Sequence, residues 1–378
     1  MKSHLIRRLF FPALLLATAA AAGVALWNEV DDLTQPILVP TNASYRGSSV
    51  LPKKAAGLRL EPFTFTGWDD APVQAVIARR EGEESSRQLS ILGNLAAAPA
   101  ERLQALDYVL VCVDWDHGIR SALPLAESLT AAGLTCVLWE PRGAEARRPY
   151  CTHGLREYRD VPLLIDSLCE LSEKEEPVVV AVGQGYGAGL LLRAASRESR
   201  LRGLVSIDAY ASLQQSVLRT LPKSLLSPVT LMLMDLRIKR TVGMECFDVA
   251  PVECAADIRR GVPVLVLQLA QNSPVSTLAD ALNIDAQLRT EHHEVWTLRD
   301  ESDPPGAETR TVYRRLGRDA EGGPGKGRRV PVELRLCRDE DAALAGVVHW
   351  LDRCVVDAVL APRVEDPDRP KLGAHLHL

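Results

Sequence analysis

The chain has 378 residues, of which 47% are hydrophobic and 25% are charged, enough for one large α/β domain with an insertion. Its formal net charge of −5 at pH 7 argues against nucleic acid as a partner, because phosphate binding needs a basic face. Aromatic residues make up 5% of the chain, too few for base-stacking platforms. No C-x-x-C pair occurs, which argues against a zinc site, and we expect no metal and no cofactor.

The N-terminus has the pattern of an export segment. Lys2, Arg7 and Arg8 form a positive region, and residues 9–27 follow without a charge. This apolar stretch approaches the roughly 20 residues that span a bilayer. Residues 1–27 are therefore a signal peptide or an uncleaved membrane anchor, with a buried N-terminal helix as the less favoured alternative. Both favoured options predict an exported protein, periplasmic or otherwise extracytoplasmic, which is secreted or held in the membrane.

A polar, proline-containing segment follows at residues 28–56 and is typical of a linker or irregular arm. Residues 58–80 then alternate apolar and polar side chains with a break at residues 68–70, which predicts a β-hairpin. The main domain is expected to extend over residues 57–360. A polar tail at residues 361–378 follows it.

Within the main domain, apolar runs alternate with helical patterns. The apolar runs contain few polar residues, which is typical of parallel strands buried on both faces. The predicted strands are residues 108–113, 134–139, 177–182, 204–207 and 262–267, and the predicted helices are residues 122–132, 158–171 and 277–289. This β-α-β-α order predicts a doubly wound, mostly parallel sheet.

Two segments interrupt this order. Residues 211–258 are helical and apolar and predict a cap inserted between two strands. Residues 301–329 are rich in Gly, Pro and Arg, which predicts a loop. Residues 330–336 alternate as a last strand, and residues 342–359 form a closing helix.

Four motifs in chain order resemble those of the α/β-hydrolase superfamily, in particular its capped serine esterases and peptidase-like members. They are DHGI at residues 116–119, WEPRG at 139–143 with the downstream helix start, GQGYG at 183–187, and the cap exit before the strand at 263–267. The resemblance covers residues 58–360. It implies an eight-stranded α/β-hydrolase sheet with a helical cap, and a nucleophile elbow of pattern G-x-S-x-G between a strand and a helix.

This chain departs from that pattern at the elbow. Gly185 stands where the family pattern has its serine, and Gly183 and Gly187 match the two glycines of that pattern. The resemblance places the backbone N–H groups of Ile119 and Tyr186 at the oxyanion site. We therefore expect the elbow shape and the oxyanion-type donors to be kept without the nucleophile.

The other two triad positions also differ. The catalytic acid position falls on Asn272, whose amide cannot act as the anionic partner of an imidazolium. Asp208 is a possible substitute acid, although a strand-end turn role is favoured. The base is expected within residues 299–303 or 337–341, and neither segment contains a histidine.

These three changes favour a catalytically inactive hydrolase-like protein of the cell envelope. Such a protein would bind a small apolar ligand or a protein partner, and would contact the membrane through its N-terminal segment if that segment is uncleaved. The alternative is a working ester or peptide hydrolase with displaced groups, for which Tyr186 and the arginine-rich residues 310–329 are the candidates. A fold kept only for stability or assembly is a third possibility.

Overall fold

The computed structural model describes most of the chain between residues 23 and 360. The described ranges are 23–35, 54–55, 57–81, 100–112, 119–139, 150–221, 227–243, 245, 248–271, 273, 275–300, 303–304, 307–315 and 329–360. Among these residues, no helix has both the length and the hydropathy needed to cross a membrane. Residues 1–22, which contain most of the predicted export segment, lie outside the described ranges, as does the tail.

The described strands form one sheet in the order β1-β2-β3-β5-β4-β6-β7-β8-β9-β11-β10. The strands are β1 (Lys54–Ala55), β2 (Leu58–Thr66), β3 (Pro72–Arg80), β4 (Tyr108–Cys112), β5 (Cys136–Trp139), β6 (Val179–Gln184), β7 (Leu201–Ile207), β8 (Val264–Gln268), β9 (His293–Leu298), β10 (Thr309–Arg315) and β11 (Arg329–Cys337). The neighbours from β5 through β4, β6, β7, β8 and β9 to β11 are parallel. The mostly parallel α/β sheet is therefore confirmed.

The sheet is wider than predicted at both edges. Eight strands were expected, and the described residues contain eleven. Three strands have no counterpart among the predicted ones, namely β1 and β10 at the two edges and β9 inside the sheet. The predicted last strand, residues 330–336, is β11. The predicted β-hairpin at residues 58–80 is present, since β2 and β3 pair antiparallel from Leu58↔Arg80 to Thr66↔Pro72.

Helices pack on both faces of the sheet. They are α1 (residues 23–35), α2 (Ala100–Leu103), α3 (Ile119–Ala131), α4 (Asp160–Ser172), α5 (Tyr186–Ala195), α6 (Leu213–Thr220), α7 (Ser227–Val242), α8 (Pro251–Ala255), α9 (Leu278–Gln287), α10 (Glu340–Trp350) and α11 (Asp357–Leu360). A π-helical turn at Leu351–Val356 joins α10 to α11. Helix α3 ends at Ala131, close to the predicted end at residue 132, and Gly133 follows with φ +86° and donates to Thr130 O at 2.9 Å.

The core explains why the strands are almost wholly apolar. In β4, Tyr108, Leu110 and Cys112 enter the hydrophobic cluster that includes α4 and α5. The intervening Val109 and Val111 enter a second cluster, which includes α3 and α10. Each face of the strand is thus buried under helices, as expected for a doubly wound sheet.

Three helices, α6 to α8, lie between β7 and β8, in the segment predicted as the cap. Helix α1 packs against them, because Val30 is fully buried in a cluster with Tyr210, Met234 and Ile238. The prediction of a linker or irregular arm for residues 28–56 was wrong over residues 28–35, which belong to α1. Burial of the apolar side of α1 on the cap overrides the polar composition of that stretch.

The Gly- and Arg-rich segment also differs from its prediction. Part of residues 301–329 was expected to be loop but forms β10, which pairs with β11 from Thr309↔Arg335 to Arg315↔Arg329. Val312 packs against the core, while Tyr313 is exposed. The alternation of half-buried and exposed side chains over Thr309–Arg315 therefore favours a strand, although the composition of the wider segment favours a loop.

Candidate functional site

The turn between β6 and α5 contains the residues that match the G-x-S-x-G pattern. β6 ends at Gln184 and α5 begins at Tyr186, so Gly185 alone joins the strand to the helix. Gly185 has φ 55° and ψ −118°, a backbone region that is strained for any residue with a side chain. Its N–H donates to Ile207 O at 2.9 Å, which holds the turn against the end of β7.

The glycine two residues earlier is required by close packing. A Cβ atom at Gly183 would lie 2.6 Å from the Cα and 2.7 Å from the N of Ala188. Because both contacts are with backbone, no side-chain movement can relieve them. This close strand–helix crossing, with an apex conformation that only glycine adopts without strain, has the backbone geometry of a nucleophile elbow. The chain has an α/β-hydrolase fold.

Comparison of the sequence with known proteins assigns the chain to no family. No protein-family model matches the chain, and no curated protein is significantly similar to it in sequence. Solved structures with a similar arrangement include an esterase from Pyrococcus furiosus, with a TM-score of 0.47 and 13% identity over 67% of this chain and 87% of that one. An acylaminoacyl peptidase from Pyrococcus horikoshii has a TM-score of 0.42 and 14% identity over 65% of this chain and 37% of that one.

A further similar structure is the esterase domain of a Rhodothermus marinus protein, with a TM-score of 0.43 and 13% identity. That likeness covers 78% of this chain and 99% of the esterase domain. At these identities, activity has to be judged from the residues of the hydrolase-fold site itself.

The apex of the elbow carries no side chain. Gly185 offers only backbone groups, and its carbonyl accepts from the N–H of Gly189 at 3.3 Å inside the first turn of α5. A hydrolase elbow exists to present a nucleophile above the sheet in this strained position. Here the backbone geometry is present, and the apex residue is a glycine.

Tyr186, next to the apex, is a poor replacement nucleophile. It is buried, and its ring meets that of His153 edge-to-face, with 5.8 Å between the ring centroids. Burial raises the pKa of the Tyr186 phenol well above its ordinary value, and the nearby Cys151 and Glu157 raise it further. The phenol therefore stays protonated at neutral pH, whereas a nucleophile would need a lowered pKa or an adjacent base.

His153 is a site residue that the sequence analysis does not single out. It lies 7% exposed beside the elbow, in a left-handed backbone conformation with φ 50°. The carboxylate of Glu157 fixes this turn by accepting from Thr152 N at 2.6 Å and Gly154 N at 2.9 Å. The sequence signal was the THG turn with a glutamate three residues later.

The two predicted oxyanion-type residues occupy equivalent places in the fold. Ile119 is the first residue of α3, which follows β4, and Tyr186 is the first residue of α5, which follows β6. N–H groups in the first turn of a helix have no acceptor within the helix and point toward the positive end of its dipole. Residues 116–118, the predicted His-Gly turn before Ile119, lie outside the described ranges.

Asp208 has a structural contact of its own. It follows β7 with φ 52°, and its Oδ1 accepts from Leu269 N at 2.7 Å and Ala270 N at 2.9 Å. The carboxylate thus ties the end of β7 to the loop after β8, which fits the strand-end role. Asn272, the predicted acid position, lies outside the described ranges.

Residues 299–303, the first segment in which the catalytic base was expected, contain two aspartates that form ion pairs. In the loop after β9, Asp303 is buried and accepts from Asp300 N at 2.8 Å. Arg310, on β10, pairs with Asp303 at 3.1 Å and with Asp300 at 2.5 Å. In the second segment, Asp339 caps α10 by accepting from Ala342 N at 2.8 Å. Both segments therefore use their polar groups for structure.

The other described histidines lie away from the elbow. His293 begins β9 at its amino end, with Nδ1 3.0 Å from Thr290 O, and His292 precedes it. His349 lies in the last turn of α10. In the described ranges, no group of three or more His, Cys, Asp or Glu residues could hold a metal ion.

Proposed function

We propose that this chain is a hydrolase-fold protein that has lost acyl transfer and acts by binding. The observation that carries the proposal is the glycine at the apex of an elbow whose backbone keeps its strained shape. Loss of the nucleophile or the base of a serine triad costs about a million-fold in turnover. A chain without either is therefore expected to have no serine-hydrolase activity.

The surroundings of the elbow support this proposal. Tyr186 is buried with a raised pKa, so the side chain next to the apex is unsuited to attack. The loop after β9, where the resemblance places the base, holds the Asp303–Arg310 ion pair instead. These groups stabilise the fold at the places where a hydrolase would keep its reacting residues.

Binding at this edge would use the donors that the fold retains. The backbone N–H groups of Ile119 and Tyr186 can donate hydrogen bonds to a carbonyl or an anionic oxygen of a ligand. The cap has an apolar core of its own, in which Leu213, Val217 and Met234 are buried with Val30 of α1. We propose a small apolar ligand or a protein partner as the occupant.

We also propose that the protein is exported, on the strength of the positive region and apolar stretch at residues 1–27. Cell fractionation with N-terminal sequencing of the mature protein tests this part. An N-terminus near residue 23 supports a cleaved signal, and an intact N-terminus in the membrane fraction supports an anchor. Recovery in the cytoplasmic fraction would contradict export.

Hydrolysis of short-chain p-nitrophenyl esters by the purified protein tests the loss of chemistry. We expect background rates for the wild type and for Gly185→Ala, Tyr186→Phe and Cys151→Ser alike. Wild-type turnover that Tyr186→Phe or Cys151→Ser abolishes, with folding retained, would instead support a hydrolase with displaced groups. Turnover abolished by Gly185→Ala alone would place the reaction at the elbow and contradict the proposal.

A further inference from the structure

A concave site lies near the amino ends of β6, β7 and β8, whereas the elbow follows the carboxyl end of β6. Its volume is about 640 Å³, within the range of small-molecule sites. We call it the basic cleft, and its lining residues are Glu176, Pro177, Val178, Arg202, Arg259, Arg260, Gly261, Val262, Ala358 and Val359. Val178 immediately precedes β6, and Gly185 immediately follows it, so β6 separates the two sites by about 20 Å.

The rim of the cleft carries a net positive charge. Arg202, in β7, contributes one guanidinium, and the exposed Arg259 and Arg260 precede β8. Against these three cations stands one lining carboxylate, Glu176, whose Oε2 is 3.9 Å from Arg202 Nη2. At that distance the contact is long and both side chains are partly exposed, so the pair contributes little to stability.

The backbone that carries two of these arginines is held in place. Val262 N donates to Arg259 O at 3.0 Å and closes a turn, and Glu291 N donates to Arg260 O at 3.0 Å. The guanidinium of Arg259 also donates to Ser199 O. The arginines are thus presented from a fixed turn, which lowers the ordering cost of binding a ligand.

The rest of the lining is apolar. Pro177 and Val262 are buried, and Val178 and Val359 are half-buried. Arginine recognises carboxylate and phosphate groups through paired N–H donors, while aliphatic walls favour a hydrocarbon chain. An arginine rim over aliphatic walls suits a ligand that has both an anionic group and a hydrocarbon chain.

We propose that the basic cleft binds an anionic amphiphile, a carboxylate or phosphate head group joined to an alkyl chain. The head group lies against Arg202, Arg259 and Arg260, and the chain lies along Val178, Val262 and Val359. This site is independent of the elbow, so it is unaffected by whether the elbow has lost its chemistry.

Titration calorimetry on the full chain tests the ligand class with four probes: decanoate, decyl phosphate, inorganic phosphate and decanol. We expect at least one alkyl anion to bind at least tenfold more tightly than decanol, with affinity that falls as salt rises. Whichever alkyl anion binds more tightly identifies the head group. Equal binding of decanol, or equal binding of inorganic phosphate and decyl phosphate, would overturn the proposal, as would no binding of either alkyl anion.

Variants then test the place of binding. Arg260→Glu reverses one rim charge, and Gly261→Phe fills the cleft from a position where an added Cβ meets no atom within 4 Å. We expect each to weaken alkyl-anion binding at least tenfold. Arg240→Glu is the matched control, because it reverses an exposed arginine on α7, away from the cleft.

Thermal unfolding confirms that each variant is folded before it is titrated. Wild-type affinity in folded Arg260→Glu and Gly261→Phe would overturn the assignment, as would equal weakening by Arg240→Glu. The ester-hydrolysis assay concerns the elbow alone, and the titrations concern the basic cleft alone. The two proposals can therefore fail separately.

Discussion

Replacement of Gly183 by alanine should destabilise the protein strongly, because the added methyl has no room. The new Cβ would lie 2.6 Å from Ala188 Cα, well inside contact distance, and the obstacle is backbone. Overpacking in a core costs about 1–3 kcal/mol, and an obstacle that cannot rotate away places Gly183→Ala at about 3 kcal/mol. At about 2 °C per kcal/mol for a domain of this size, the melting temperature should fall by about 6 °C.

Circular dichroism during heating and urea denaturation measure this effect. The matched control is Gly261→Ala, where an added Cβ meets no atom within 4 Å. That variant should have wild-type stability or gain up to about 1 kcal/mol, since alanine restricts the unfolded chain. If Gly183→Ala unfolds within about 0.5 kcal/mol of the wild type, the close strand–helix crossing that defines the elbow is wrong.

Three further outcomes are expected. Asp303→Asn should destabilise the fold by about 2 kcal/mol in urea denaturation, because the buried carboxylate loses its ion pair, and a change below about 0.5 kcal/mol would contradict a structural role for that loop. Val30→Ala should cost about 2 kcal/mol, but Asp31→Ala, which removes a half-exposed ion pair, under about 1 kcal/mol; the reverse order would show that α1 is not held by its apolar side. Burial opposes ionisation of Glu198, yet hydrogen bonds from Arg200 outweigh burial and lower the pKa of the Glu198 carboxyl. The ionised carboxylate therefore stabilises the fold above the unfolded-state pKa, and this stabilisation is lost as pH falls through the folded-state pKa. Glu198→Gln should flatten the dependence of unfolding free energy on pH in that acidic window, and an unchanged dependence would refute this.

The parts of the fold that were predictable are those whose local pattern and burial agree. β4 and β6 are apolar on both faces because helices cover both faces, and this burial is predicted by their uninterrupted runs of apolar residues. The elbow was also predictable, since Gly183 and Gly185 meet steric demands that few other residues could meet. At these places the local sequence pattern and the tertiary packing favour the same structure.

Other features depend on contacts between distant segments. Helix α1 overlaps the start of a region whose composition predicts an arm, and its packing partner, Tyr210, lies far along the chain. The pairing of Arg310 with Asp303 could not be placed without knowing that Thr309–Arg315 forms a strand. The position of His153 beside Tyr186 likewise depends on a left-handed turn that the sequence does not specify.

We propose that the elbow at Gly185 retains its backbone shape without a nucleophile. Labelling of the purified full chain with a fluorophosphonate probe, followed by mass spectrometry of its peptides, tests this claim most directly. We expect no labelled peptide above the heat-denatured control, because the probe needs an activated nucleophile. A stoichiometric adduct on any residue near the elbow would contradict the account and identify the missing nucleophile.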